Sequence, residues 1–252
     1  MQNELQRAID AIHVRFGDQA LVRATRLPGA EPWPTGIPAV DRLSGIGGWP
    51  RGRIGLLSGR SGSGKLTLGL ALLARATQEF AQVVVIDPQR GFDPWTFASL
   101  GADLRNLTLV RPPNATAAGE AAVSLARAGV GCLLMLDSLP EPALAPLESA
   151  AARSGSAVLA VTGEPAPQGL AFASSLSLSL QRTDWIWERG LPVGLRTLLG
   201  CRKNKLAAPG GEAELELRYA LGARLFQAQA VRETQAQEAN VRELPAWRFA
   251  AV

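Results

Sequence analysis

Short unbroken apolar runs punctuate this chain: IGLL, VVVI, CLLML and AVLAV. None alternates with polar residues, the pattern of strands buried on both faces of a parallel sheet. They predict strands over 54–58, 82–86, 131–136 and 157–161, with a shorter one over 107–110. Between them, helical periodicity predicts helices over 68–80, 94–100, 116–128 and 143–153. Strand–helix alternation of this kind argues for an α/β fold with a doubly wound, mostly parallel sheet. After residue 173 the pattern changes. Runs over 174–181, 195–202 and 213–219 lie close together with partial period-two alternation, and a turn containing Pro209, Gly210 and Gly211 joins the last two. They predict an antiparallel extension of the sheet.

The two ends read differently. Leu5, Ala8, Ile9, Ile12 and Phe16 recur at helical spacing over 2–16. A short extended piece over 20–24 and a linker over 28–34 follow. The segment 35–43 starts a helix, and 45–54 reads as turns. The last thirty or so residues carry Ala, Gln, Arg and Glu over 227–241, good helix formers, then LPAWRFAAV. The expected organisation is an arm over 1–27, a core over 28–222 and a helical tail over 223–252.

Composition narrows this little. The chain has 252 residues, 47% of them hydrophobic, enough to bury a sizeable core. Its net charge of +4 is compatible with nucleic acid but does not demand it, because 22 acidic residues are interspersed. Cys132 and Cys201 sit in apolar runs and read as reduced core residues of a cytoplasmic protein. No apolar run approaches the ~20 residues that span a bilayer. His13 stands alone, without companions that would make it a metal ligand.

The chemistry concentrates in the stretch GLLSGRSGSGKLTLGL. Gly59, Gly64 and Lys65 fit the phosphate-binding pattern G-x-x-x-x-G-K-[ST] up to its last position. Around them Arg60, Ser61, Gly62 and Ser63 form a turn whose backbone N–H groups can point at phosphate oxygens, helped by the dipole of the following helix. The lysine would reach the terminal phosphates, and the next hydroxyl would hold Mg²⁺. Here that position is Leu66. Thr67 comes one residue later, but one step along a helix is roughly 100° of rotation, so its hydroxyl points elsewhere.

The order of motifs resembles the RecA family of recombination ATPases. RFG at 15–17, TGIPAVD, GGWPRGRI, the loop, IDPQRGFDP, LGADLRNL, MLDS and KNKLAAP follow one another at matching spacing, over roughly residues 1–220. The resemblance implies a RecA-type P-loop core with ATP as the ligand. Several departures fall on positions that carry chemistry in that family. Leu66 replaces the magnesium-binding hydroxyl. Gln89 stands at the position of the catalytic glutamate, and an amide cannot act as a base near neutral pH. Thr162-Gly163 stands where a polar pair would sense the terminal phosphate. The segment 164–173, in place of a DNA-binding loop, contains no Lys or Arg and offers little counterion release on a phosphate backbone.

Other positions keep two readings. Lys65 either contacts phosphate or caps a turn. Asp137, ending a buried strand, either orients Mg²⁺ through water or is a hydrogen-bonded carboxylate packed on the loop. Asp93 matches a position near the adenine, or is a helix cap before Pro94. Lys203 and Lys205 match lysines that reach the nucleotide of an adjacent subunit; alternatively they mark a solvated strand end. These three lysines are the only ones in the chain. Trp185 and Trp187 read as packing residues, and Trp247 as part of a docking peptide or a tail folded back on the domain.

Several losses around one phosphate resemble the ImuA branch, short RecA-like accessory factors of the damage-induced mutasome. This implies an SOS-type damage-tolerance role in translesion synthesis, with little or no ATPase activity and no catalytic residue. ATP is then a retained ligand at most and magnesium is disfavoured. The implied partners are an ImuB-type, Y-family-like polymerase protein, RecA, or a second copy, with weak or indirect DNA contact. The alternative is an active RecA-like, ATP-dependent recombination or repair ATPase.

Overall fold

In the computed structural model the described residues are 6, 7, 9–11, 14, 15, 31–137, 139–208 and 211–218, plus the backbone of Gln227–Thr234. Residues 6, 7, 9–11, 14 and 15 are helical, as the periodicity over 2–16 predicts, and Gln6 bonds Asp10 one turn on. The extended piece over 20–24, His13 and Trp247 lie outside the described residues.

Eleven strands are assigned among the described residues: β1 (Pro32–Trp33), β2 (Trp49–Pro50), β3 (Ile54–Gly59), β4 (Val83–Ile86), β5 (Leu107–Val110), β6 (Cys132–Leu136), β7 (Ala157–Thr162), β8 (Leu176–Glu188), β9 (Leu191–Asn204), β10 (Glu212–Arg218) and β11 (Gln227–Thr234). The helices are α1 (Pro38–Leu43), α2 (Lys65–Glu79), α3 (Pro94–Ser99), α4 (Ala115–Arg127), α5 (Glu141–Ser154) and α6 (Gln168–Ala173). Nine strands form one sheet in the order β11-β10-β9-β8-β3-β7-β6-β4-β5. Pairing is parallel from β8 through β3 to β5 and antiparallel from β8 to β11.

The sheet is covered on both sides, which is why its central strands are continuously apolar. Successive residues point to opposite faces. Leu57, Val83, Val85, Leu134 and Leu159 join one core with Leu68, Leu72 and Leu73 of α2 and Phe97 of α3. Leu56, Val84, Ile86, Leu133 and Val158 join the other with Ala122 of α4, Leu147 of α5 and Leu170 of α6. Trp49 is fully buried and donates its indole N–H to the Val158 carbonyl at 3.2 Å. The indole packs on Gly55, where a Cβ would lie 2.2 Å from the ring. No described helix is long and apolar enough to cross a membrane.

Four expectations need correction. The 28–34 linker and the 45–54 turns contribute a small antiparallel ribbon, Pro32–Trp33 against Trp49–Pro50, because burial of Trp33 and Trp49 fixes both segments. The strands of the extension are longer than the apolar runs. β8 continues through the exposed residues 181–185, paired along β9 by main-chain bonds that need no apolar side chains. The segment 164–173 is not all loop but ends in α6. Finally, Gln227–Thr234 is a strand, not helix. It pairs antiparallel with β10, whose edge would otherwise leave a row of unmet N–H and C=O groups, and tertiary pairing overrides the helix propensity of Ala and Gln. The sheet therefore extends past residue 222, into the segment expected to be a helical tail.

Candidate nucleotide-binding site

The parallel strands β3, β4, β6 and β7 carry the candidate chemistry at their carboxyl ends, the place where open α/β sheets bind ligands. β3 ends at Gly59 and the turn Arg60–Gly64 leads into α2 at Lys65. Gly62 and Gly64 adopt φ of +74° and +90°, conformations that glycine enters without steric cost. Gly64 is also tightly packed, since a Cβ there would meet Leu217 at 2.4 Å. Local bonds close the turn: Ser63 N–H donates to the Arg60 carbonyl at 3.1 Å, and the Lys65 ammonium donates to the same oxygen at 3.2 Å. Partial burial pushes the Lys65 pKa below its ordinary 10.5.

Beside the loop lies a cleft of about 280 Å³ between Lys65, Leu66, Asp87, Gln89, Asp137 and Gly163. The sequence-predicted residues Lys65, Leu66, Gln89 and Asp137 thus converge. Gln89 donates its amide N–H to Asp137 Oδ2 at 2.6 Å. Asp137 is thus a hydrogen-bonded carboxylate, in a backbone at φ +134°. Leu66 is 44% exposed and lines the cleft with its alkyl group.

Asp87 is a site residue whose role sequence reasoning missed. It is 1% exposed and accepts from the N–H groups of Gly91 and Phe92, both at 2.9 Å, with Arg111 at 3.7 Å. These bonds fix the loop that presents Gln89. The available signal was its place at the end of a buried strand.

The remaining candidates divide. Asp93 caps α3, accepting from Trp95 and Thr96 N–H at 3.1 Å; bonds from Thr96 come first among the causes that hold its carboxyl below the usual range. The cap reading holds in this structure. Lys203 and Lys205 both reach the end of α6: half-buried Lys203 donates to the carbonyls of Ala171 and Phe172 at 2.7 Å, and exposed Lys205 to Phe172 at 3.1 Å. Both therefore cap the C-terminal end of α6, where the helix dipole favours cations. Trp185 and Trp187 need correction. They face outward, 37% and 59% exposed, while Ile186 between them is buried, because strand alternation gives the inner position to Ile186.

The fit to a nucleotide is mixed. Glycines at positive φ, a lysine and a helix N-terminus fit phosphate oxygens. A hydroxyl for the metal does not exist at position 66, and no group of acids, histidines or cysteines able to hold a metal occurs among the described residues.

A loop of this form at the carboxyl end of β3, in a doubly wound sheet with helices on both faces, defines a P-loop class of protein. Comparison with known proteins makes this particular: the chain belongs to the RecA family, among RecA-like proteins of DNA repair and recombination. The RecA N-terminal domain matches residues 3–157. Protein RecA of Aquifex pyrophilus is 30% identical over 258 residues, spanning 86% of this chain and 74% of the relative. Protein RecA of Streptomyces avermitilis is 30% identical over 261 residues, spanning 88% and 69%. The crystal structure of the RadB recombinase shares the fold, with a TM-score of 0.57 at 17% identity, covering 73% of this chain and 94% of that one.

Proposed function

We propose that this RecA-family protein is an accessory factor in DNA damage tolerance, of the ImuA type. It acts in translesion synthesis and induced mutagenesis through protein contacts, with little or no ATP hydrolysis. The observation that carries this reading is the Gln89–Asp137 bond beside Leu66. An amide that cannot accept a proton from water is bonded to the Asp137 carboxylate, and an alkyl group stands where the P-loop pattern has the metal's hydroxyl. ATP is then held by the glycine turn and Lys65 without magnesium.

The partners of this reading are an ImuB-type polymerase protein, RecA or a second copy, with weak or indirect DNA contact. Trp187 and Leu191, exposed on either side of the β8–β9 turn, suit a protein partner because apolar side chains gain by leaving water. The intact glycine geometry favours a second reading, an active RecA-like ATPase with unusual metal coordination.

Calorimetric titration with ATP, with and without Mg²⁺, separates the two. The accessory reading expects an affinity that magnesium leaves unchanged. Binding that requires magnesium would contradict it.

A further inference from the structure

A groove of about 380 Å³ runs between α4 and α5, on the sheet face opposite α2, and shares no lining residue with the Lys65–Asp137 cleft. Its walls are mostly apolar. Gly119 and Val123 of α4 face Pro140, Pro142, Ala143 and Pro146 at the start of α5. The two helices touch at Gly119, where a Cβ would lie 2.8 Å from Ala143 Cβ, and this contact sets the spacing of the walls.

One feature of α5 is not explained by packing. Pro146 is exposed inside the helix, and an exposed interior proline weakens a helix without adding to the core. It has no N–H, so the carbonyl of Pro142 one turn earlier loses its helical donor. The groove therefore combines an apolar wall with a backbone acceptor in want of a donor. Its rim is charged at two points. Glu120 and Arg127, about two turns apart on α4, have no ion-pair partner among the described residues.

The chain itself contains a segment of matching chemistry. Beyond β11 the sequence RELPAWRFA, 242–250, places Trp247 between Glu243 and Arg248. Tryptophan joins a large apolar ring to a single N–H donor. The segment is also within reach. Six strand spacings separate β11 from β6, which lies under α4 and α5, a distance of about 29 Å. The residues from Gln235 to Trp247 extend up to about 43 Å.

We propose that the α4–α5 groove is the docking site of this chain's own segment Glu243–Phe249. Trp247 lays its ring on the prolines and Val123, and its N–H donates to the Pro142 carbonyl. The segment runs antiparallel to α4, which brings Arg248 to Glu120 and Glu243 to Arg127. Docking takes the Trp247 ring out of water and ties the sequence beyond β11 across the helices of this face.

The test is disulfide trapping in the full-chain double variant Ser124→Cys/Ala246→Cys, read by mass spectrometry after mild oxidation. A bond forms between positions 124 and 246 of one chain. Trp247→Ala in that background slows its formation at least tenfold, whereas Trp187→Ala, exposed at the β8–β9 hairpin, changes it less than twofold. Glu120→Arg also slows it, and adding Arg248→Glu to Glu120→Arg restores the rate. The proposal is overturned if no such bond forms, which leaves the groove to a partner protein, or if Trp247→Ala leaves the rate unchanged. It is equally overturned if mixing the two single variants gives the bond between chains at the same rate, which identifies a second copy as the occupant.

Discussion

At position 66 the metal-binding hydroxyl of the P-loop pattern is replaced by a branched alkyl group, and the consequences are local enough to reverse. Leu66→Thr restores an oxygen at the right helical position. It is expected to make ATP affinity magnesium-dependent by about tenfold, the order of one charge-assisted contact; calorimetry with and without Mg²⁺ checks this. Lys65 gives a pH dependence. Its pKa lies below 10.5 through partial burial, so its charge is lost at a lower pH than that of a free lysine. ATP affinity should therefore fall as pH rises through the window just below 10.5, and Lys65→Arg should remove that fall. For the folded state the sign is opposite: deprotonation relieves the cost of burying the charge, so stability rises through the same window. At Cys132, full burial pushes the thiol up to about 12, and a thiol is far less nucleophilic than a thiolate. Iodoacetamide at pH 8 should label half-buried Cys201 in the native protein and reach Cys132 only on unfolding. Mass spectrometry of the labelled chain reads both.

Elements show which parts of the molecule were legible in sequence. The strands β4, β6 and β7 were readable because each is a short run enclosed on both faces, so burial wrote itself into composition. The glycine turn was readable for the same reason of locality: Gly59 to Lys65 carries its whole geometry within one segment. Residues 181–188 of β8 were not, since they are mostly exposed and held by main-chain pairing to β9. Gln227–Thr234 was hidden because a strand made by pairing with β10 leaves no apolar mark in Ala- and Gln-rich sequence. The Lys203–Lys205 pair was seen but its use was not, since α6 had been read as loop. Its role is testable. Lys203→Ala removes the bonds to two terminal carbonyls of α6 and should lower stability by about 1 kcal/mol in urea denaturation. Gly64→Ala strains both the φ of +90° and the contact with Leu217, and should cost at least about 1 kcal/mol.

For the whole molecule, a RecA-family core surrounds a cleft lined by Leu66, Gln89 and Gly163. The two cores on either face of the sheet do not involve these three residues, so the fold does not depend on them. Leu57 shows the contrast. It is fully buried between β3 and α2, and Leu57→Ala should cost roughly 2–5 kcal/mol, whereas Gln89→Ala, which loses one exposed hydrogen bond at the cleft, should shift the urea midpoint far less. The most direct measurement is steady-state ATP hydrolysis by the full chain, with and without single-stranded DNA, beside a RecA protein under the same conditions. The account predicts turnover near the uncatalysed background and no stimulation by DNA. DNA-stimulated turnover comparable to that of the RecA protein would contradict it.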